Sequence, residues 1–172
     1  MKHTTYSIVS LFILVGALSS IVNAELKVTE DKENVVASRL IGSWEMNPEL
    51  TERLRGATAP MGGESLRSRT KIFKSDSSIV KNIPERFAGF LSEKQIYLAG
   101  IMSASGVDYP FILIENAGNP HLVYFRERNG NPMGDAESFN LFVVPAKETK
   151  NDLLFIGGDF NNQPFDAYHR AE

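Results

Sequence analysis

The sequence contains no cysteine, one tryptophan and three histidines, and each scarcity narrows what the chain can be. Without cysteine there is no disulfide framework, no thiolate nucleophile and no cysteine-type zinc site. A chain of 172 residues can bury a core large enough to dispense with such staples, and it is one ordinary domain at most. An excess of positive charge is missing too. With 18 basic and 21 acidic residues the formal charge is −3, without the basic footprint of a nucleic-acid binder. No low-complexity tract occurs and aromatics make up 10%, which points to a packed chain rather than a disordered one.

The longest apolar run is Ile8 to Leu18, preceded by Lys2 and followed by the small-x-small triplet Val22-Asn23-Ala24. That is the order of a secretory signal: positive start, apolar centre, small-residue cleavage site. A membrane anchor needs about 20 apolar residues, whereas Ser19, Ser20 and Asn23 interrupt this run and Glu25 follows it. Residues 1–24 are therefore read as a cleavable signal peptide, and 25–172 as the folding domain. The expected product is exported, periplasmic or secreted, with no integral membrane span after cleavage. Taking 24 from 172 leaves 148 residues, and loss of Lys2 moves the charge from −3 to −4.

The remainder reads as strands in series. Asp31 to Leu40 fits a short helix, Ile41 to Met46 alternates as a strand, and Asn47-Pro48 caps a second short helix, PELTERLR, with Gly56 as its stop. Ala57 to Ser65, with Pro60 and Gly62-Gly63, reads as a loop. Seven further strand-length segments follow: Arg67 to Ile83, Gln95 to Ala104, Tyr109 to Asn116, His121 to Arg128, Ser138 to Pro145, Asp152 to Gly157 and Phe165 to Arg170. Turn residues such as Ser105-Gly106, Ala117-Gly118 and Asn129-Gly130 separate them, and Pro84 to Leu91 forms an inserted helix. About eight strands with short sequential connections predict an all-β, antiparallel up-and-down barrel. Short helices precede the first strand and occupy the first two long connections. A sandwich is the alternative, but it needs longer crossovers.

Several strands are apolar on both faces. Tyr109, Phe111 and Leu113 oppose Ile112 and Ile114, and Phe139, Leu141 and Val143 oppose Phe142 and Val144. Helices or a partner chain must then cover part of the exterior, or these strands line a second interface, and a homodimer is one such arrangement.

The first strand carries Gly42-x-Trp44 directly after a helical turn, and the last ends in Tyr168-His169-Arg170. On these residues and the eight serial strands, the chain resembles lipocalin-like domains of the calycin superfamily. The resemblance implies that Trp44 packs at the closed barrel end with Arg170 across its ring, a cation–π contact. Gly42, Trp44 and Arg170 are then a structural signature. The chain departs from the family pattern in having no helix after the last strand, no disulfide and no counterpart of the second lipocalin motif.

No constellation for catalysis emerges, and the chain is read as a non-enzyme without cofactor or metal. His121 and His169 lie on different strands, and no serine sits in a Gly-x-Ser-x-Gly elbow. Asp159 to Asp166 has acids and amides at alternate positions but lacks the glycine and glutamate of a calcium loop. Arg53, Arg55, Arg67, Arg69 and Lys71 read as a solvated basic loop face. The expected function is binding of a small apolar or amphipathic ligand inside the barrel. Phe73, Tyr97, Phe111, Phe125, Phe142 and Phe155 are the candidate interior residues. The alternative is an envelope interaction or inhibitor module with a filled barrel.

Overall fold

The computed structural model describes residues 35–55, 69–157 and 165–171. The signal segment, the loop over 57–65 and most of the calcium-like stretch lie outside the described residues. In chain order the elements are α1 (Val35–Leu40), β1 (Gly42–Met46), α2 (Pro48–Arg55), β2 (Thr70–Ser75), a 3-10 turn (Ser77–Asn82) and α3 (Glu85–Leu91). There follow β3 (Ile96–Ala104), β4 (Val107–Asn116), β5 (Asn119–Arg128), β6 (Asn131–Val144), a second 3-10 turn (Thr149–Asn151), β7 (Leu153–Gly157) and β8 (Phe165–Arg170).

The eight strands form a closed antiparallel barrel in sequence order, β1 returning to pair with β8. This is the up-and-down architecture expected above, and the closed ring excludes the sandwich. Local chemistry sets much of it. Ser105-Gly106, Ala117-Gly118 and Asn129-Gly130 all have positive φ, at 53° and 78°, 52° and 80°, 55° and 77°. Two consecutive positive-φ residues make the turn whose twist matches paired strands, so β3 to β6 run as a meander of tight hairpins. Asn47 starts α2 by accepting from the Leu50 amide at 3.0 Å, with Pro48 in the first turn, where its missing N–H has no consequence.

One segment differs from expectation. Arg67 to Ile83 is not a single strand: β2 ends at Ser75, and Asp76 turns the chain. Its carboxylate accepts from the Ser78 amide at 2.9 Å and from the Ser78 hydroxyl at 2.6 Å, which caps the 3-10 turn. Those bonds hold the Asp76 carboxyl below its usual pKa.

Register assigns the faces. Trp44 opposes Lys71 and Arg170, Phe73 opposes Met102, Phe111 opposes Tyr124, and Leu154 opposes Tyr168, so these side chains share the inner wall. The inner apolar cluster is closed from one end by Ala37 and Leu40 of α1. The alternate residues Ala99, Ile112, Ile114, Val123 and Phe125 form a second cluster on the outer wall. Ile79 and Val80 of the 3-10 turn and Leu91 and Phe87 of α3 cover it. The doubly apolar strands are thus explained within one chain: an apolar cluster inside and a helical cover outside. Accordingly α3 packs on the outer wall. Beside β8, Thr51 of α2 donates to the Ala167 carbonyl (3.2 Å) and accepts from its amide (3.0 Å), satisfying the strand beyond the end of β1.

Candidate functional site

The end of the barrel beneath α1 is sealed by a small network. The guanidinium of Arg170 lies 4.0 Å from the centroid of the Trp44 ring. It donates to the carbonyl of Ile41 at 2.7 Å and also to that of Arg39. The Trp44 indole N–H donates to the Leu40 carbonyl at 2.7 Å. Gly42 is required at this point: its φ is +126°, and a Cβ there would stand 2.5 Å from Arg170 Nη1. Asp152, fully buried, completes the seal by accepting from the Ala146 amide (2.8 Å) and from Arg39 Nη1 (2.9 and 3.2 Å). Burial lowers the pKa of Arg170 and Arg39 acts in the same sense, while Asp152 opposes both.

The other end carries the β1–β2, β3–β4, β5–β6 and β7–β8 connections, and there the inner wall changes character. Lys71 near the start of β2 and Asp166 near the start of β8 are both completely buried. The Lys71 ammonium lies 5.4 Å from the centroid of Tyr168, which is also completely buried. Desolvation brings the Lys71 pKa down from 10.5 to about 8, although the Asp166 charge acts in the opposite sense. Across the barrel, Arg126 on β5 pairs with Asp135 (3.3 Å) and with Glu137 on β6. Glu137 also accepts from the Tyr124 hydroxyl at 2.5 Å. Aromatic rings join this layer to the apolar floor: Tyr109 to Tyr124 at 5.6 Å and Tyr124 to Phe139 at 5.8 Å. Charged groups thus stand at both ends of the barrel, Arg39, Arg170 and Asp152 at the sealed end and Lys71, Asp166, Arg126 and Glu137 towards the mouth, with the inner apolar cluster between them.

The candidate interior residues divide between the two faces. Phe73 and Phe111 are inside, edge to face at 5.4 Å. Tyr97 packs partly buried against the inner cluster and donates its hydroxyl to Glu115. Phe125, Phe142 and Phe155 stand on the outer wall, a correction to the expected interior placement. Phe125 lies under α3 at 5.6 Å from Phe87, and Phe142 opposes Phe155 in register and meets Phe165 at 5.8 Å. Both faces of these strands are apolar, so alternation alone leaves the inner face unassigned. Lys71 is the second correction. Read with Arg53, Arg55, Arg67 and Arg69 as a loop charge, it points into the barrel, and its shared parity with Phe73 is the signal that reveals this.

His121 sits near the β4–β5 turn with Nδ1 3.1 Å from the Asn119 carbonyl oxygen, and His169 is on the outer wall opposite Glu45. No cluster of three or more His, Asp or Glu arranged to hold a metal ion occurs among the described residues. Nor is any described helix long and apolar enough to cross a membrane. On the outer wall, a groove of about 210 Å³ runs between α3 and β5–β6, lined by Phe87, Phe90, Val123 and Phe125. A broader cleft of about 810 Å³ lies beside Glu45, Leu153 and His169. A scan against protein-family models and searches of curated proteins and of solved structures return no match to this chain.

Proposed function

We propose that the protein is an exported, lipocalin-like binding protein that takes a small amphipathic ligand through the barrel mouth. One observation carries this reading: towards the mouth the inner wall sets Lys71, Asp166, Arg126 and Glu137 beside the apolar cluster that holds Phe73 and Phe111. An amphipathic molecule matches both, its tail against the cluster and its head among the charges. Met46 and Tyr109, which face inward near the mouth, are only partly buried and give such a molecule surface to cover. The sealed end, with Arg170 across Trp44 and Gly42 beneath, supports the calycin resemblance. Lys2, the Ile8–Leu18 run and Val22-Asn23-Ala24 support export.

Native mass spectrometry of the protein from its own host, followed by titration with decan-1-ol, tests the binding reading. A co-purified small molecule or saturable one-to-one uptake is the expected result. A bare mass with no saturable uptake refutes it. Amino-terminal sequencing of the same preparation, expected to begin at Glu25, tests export.

A second reading, an interaction module with a filled barrel, is favoured by Phe90, which is 52% exposed beside the groove under α3. Crosslinking in the native envelope decides it: a partner lost on Phe90→Asp supports this reading, and a strict monomer with no captured partner counts against it.

A further inference from the structure

We infer that Asn129 is a self-modification site, whose side chain cyclises with the Gly130 nitrogen, releases ammonia and reopens with water to aspartate and isoaspartate. The site is the tip of the β5–β6 hairpin at the barrel mouth, and its chemistry does not depend on the barrel taking a ligand.

Sequence and turn geometry single this asparagine out. Asn129-Gly130 is the one Asn-Gly pair in the chain. Both residues are exposed, with φ of 55° and 77°, between Arg128 and Asn131, which pair in register. The closing bond of such a turn joins the residues that flank the tip and leaves the amides within it unbonded. Accordingly neither the Gly130 N–H nor the Asn129 side chain has a hydrogen-bond partner among the described residues. Glycine also brings no Cβ to obstruct the approach of its nitrogen. The other described asparagines each lack part of this arrangement. Asn47, Asn119 and Asn131 precede proline, whose nitrogen has no hydrogen to give up. The side chains of Asn82 and Asn116 are held by Ser78 and Lys94, at 3.4 and 2.9 Å. The N–H that follows Asn151 donates to the Thr149 carbonyl at 3.0 Å, and Asn140 is paired within β6 to His121 and Gly157.

Water is the only co-reactant. The Gly130 nitrogen gives up its proton to solvent, and its lone pair attacks the side-chain carbonyl carbon of Asn129. A C–N bond forms, the bond to the side-chain nitrogen breaks with its electron pair, and that nitrogen leaves with a proton as ammonia. Water then opens the cyclic imide at either carbonyl. Opening at the side-chain carbonyl gives aspartate. Opening at the main-chain carbonyl gives isoaspartate, whose backbone runs through the side-chain methylene. One side-chain amide and one water thus become one carboxylic acid and one ammonia, with no change of oxidation state. Each product adds a negative charge at the mouth, close in sequence to Arg126, which Asp135 and Glu137 already engage. Isoaspartate also lengthens a tip whose tight geometry sets the β5–β6 register.

The experiment stores the protein from its own host, and beside it a synthetic peptide spanning Glu127 to Met133, in one mildly alkaline buffer and samples both over time. Peptide mapping, with fragmentation that separates aspartate from isoaspartate, follows each asparagine. An exposed tip opens at almost no cost, so Asn129 in the folded chain should convert within about tenfold of its rate in the peptide. It should lead every other described asparagine and yield both products. Asn129→Gly keeps a residue at ease with positive φ, and it should remove the leading acidic species that ion exchange resolves from the stored protein. Trp44 emission checks that the variant is folded. Conversion more than about tenfold slower than in the peptide, or no faster than at the other described asparagines, overturns the inference. So does an acidic species that persists unchanged in Asn129→Gly.

Discussion

Lys71 ties the stability of the barrel to pH with a definite sign. In the unfolded chain its ammonium loses its proton near 10.5, whereas burial brings this down to about 8 in the fold. Below pH 8 both states carry the proton, and the fold bears the full desolvation of a buried cation. Between these values the unfolded chain binds more protons than the native one, so stability must rise as pH rises. A gap of about 2.5 pH units, at about 1.4 kcal/mol for each, gives a gain of about 3 kcal/mol across the window. For a domain of this size that is about 6–12 °C in melting temperature. Tyrosine ionisation overlaps the window, so the measurement is a difference: thermal melts of the native protein and of Lys71→Met at intervals from pH 7 to 10.5. The native curve should climb relative to the variant by about 3 kcal/mol, with the rise beginning near pH 8. Parallel curves, or a difference of opposite slope, refute the account of Lys71 as a desolvated inner-wall cation.

Three further outcomes follow from packing. Asp152→Ala leaves the partly buried Ala146 amide without its acceptor and Arg39 and Arg170 without their shared carboxylate. Denaturant unfolding should show a loss of about 3 kcal/mol. Gly42→Ala places a methyl 2.5 Å from Arg170 Nη1 at a φ of +126°, so the guanidinium must leave the indole. Trp44 is the single tryptophan, and its emission should move to longer wavelength with a stability loss of about 1–3 kcal/mol. Thr51→Val keeps the volume but removes both bonds to Ala167; chemical unfolding should register a loss of about 1–3 kcal/mol, and an unchanged midpoint contradicts the edge-capping role.

Strand number and order were legible in the sequence because punctuation carries them: Ser105-Gly106, Ala117-Gly118 and Asn129-Gly130 can hardly be anything but tight turns. Asn47-Pro48 marked α2 for the same reason. The failures share a different cause. Ile79, Val80 and Ile83 are apolar and β-branched, so they extend a strand pattern although Asp76 and Ser78 have already turned the chain. Phe125, Phe142 and Phe155 lie on strands buried on both faces, where alternation has no polar side to orient it. Lys71 and Asp166 belong to segments whose neighbours look like loop, and their burial arises from strands far apart in sequence. The candidate site was therefore half visible: Phe73, Phe111, Trp44 and Arg170 by type and position, but not the ionic layer above them.

The pairing of β1 with β8 has a consequence for how the molecule is made. β3 to β6 find their partners across short connections and can zip locally, but the ring has a single seam, between the first strand and the last. Until Phe165–Arg170 arrives, β1 and β7 each present an open edge, and Trp44 lacks the arginine that covers it. Assembly thus waits on the final strand. A chain delivered amino end first therefore stays an open sheet until its last strand arrives, and only then closes into a ring.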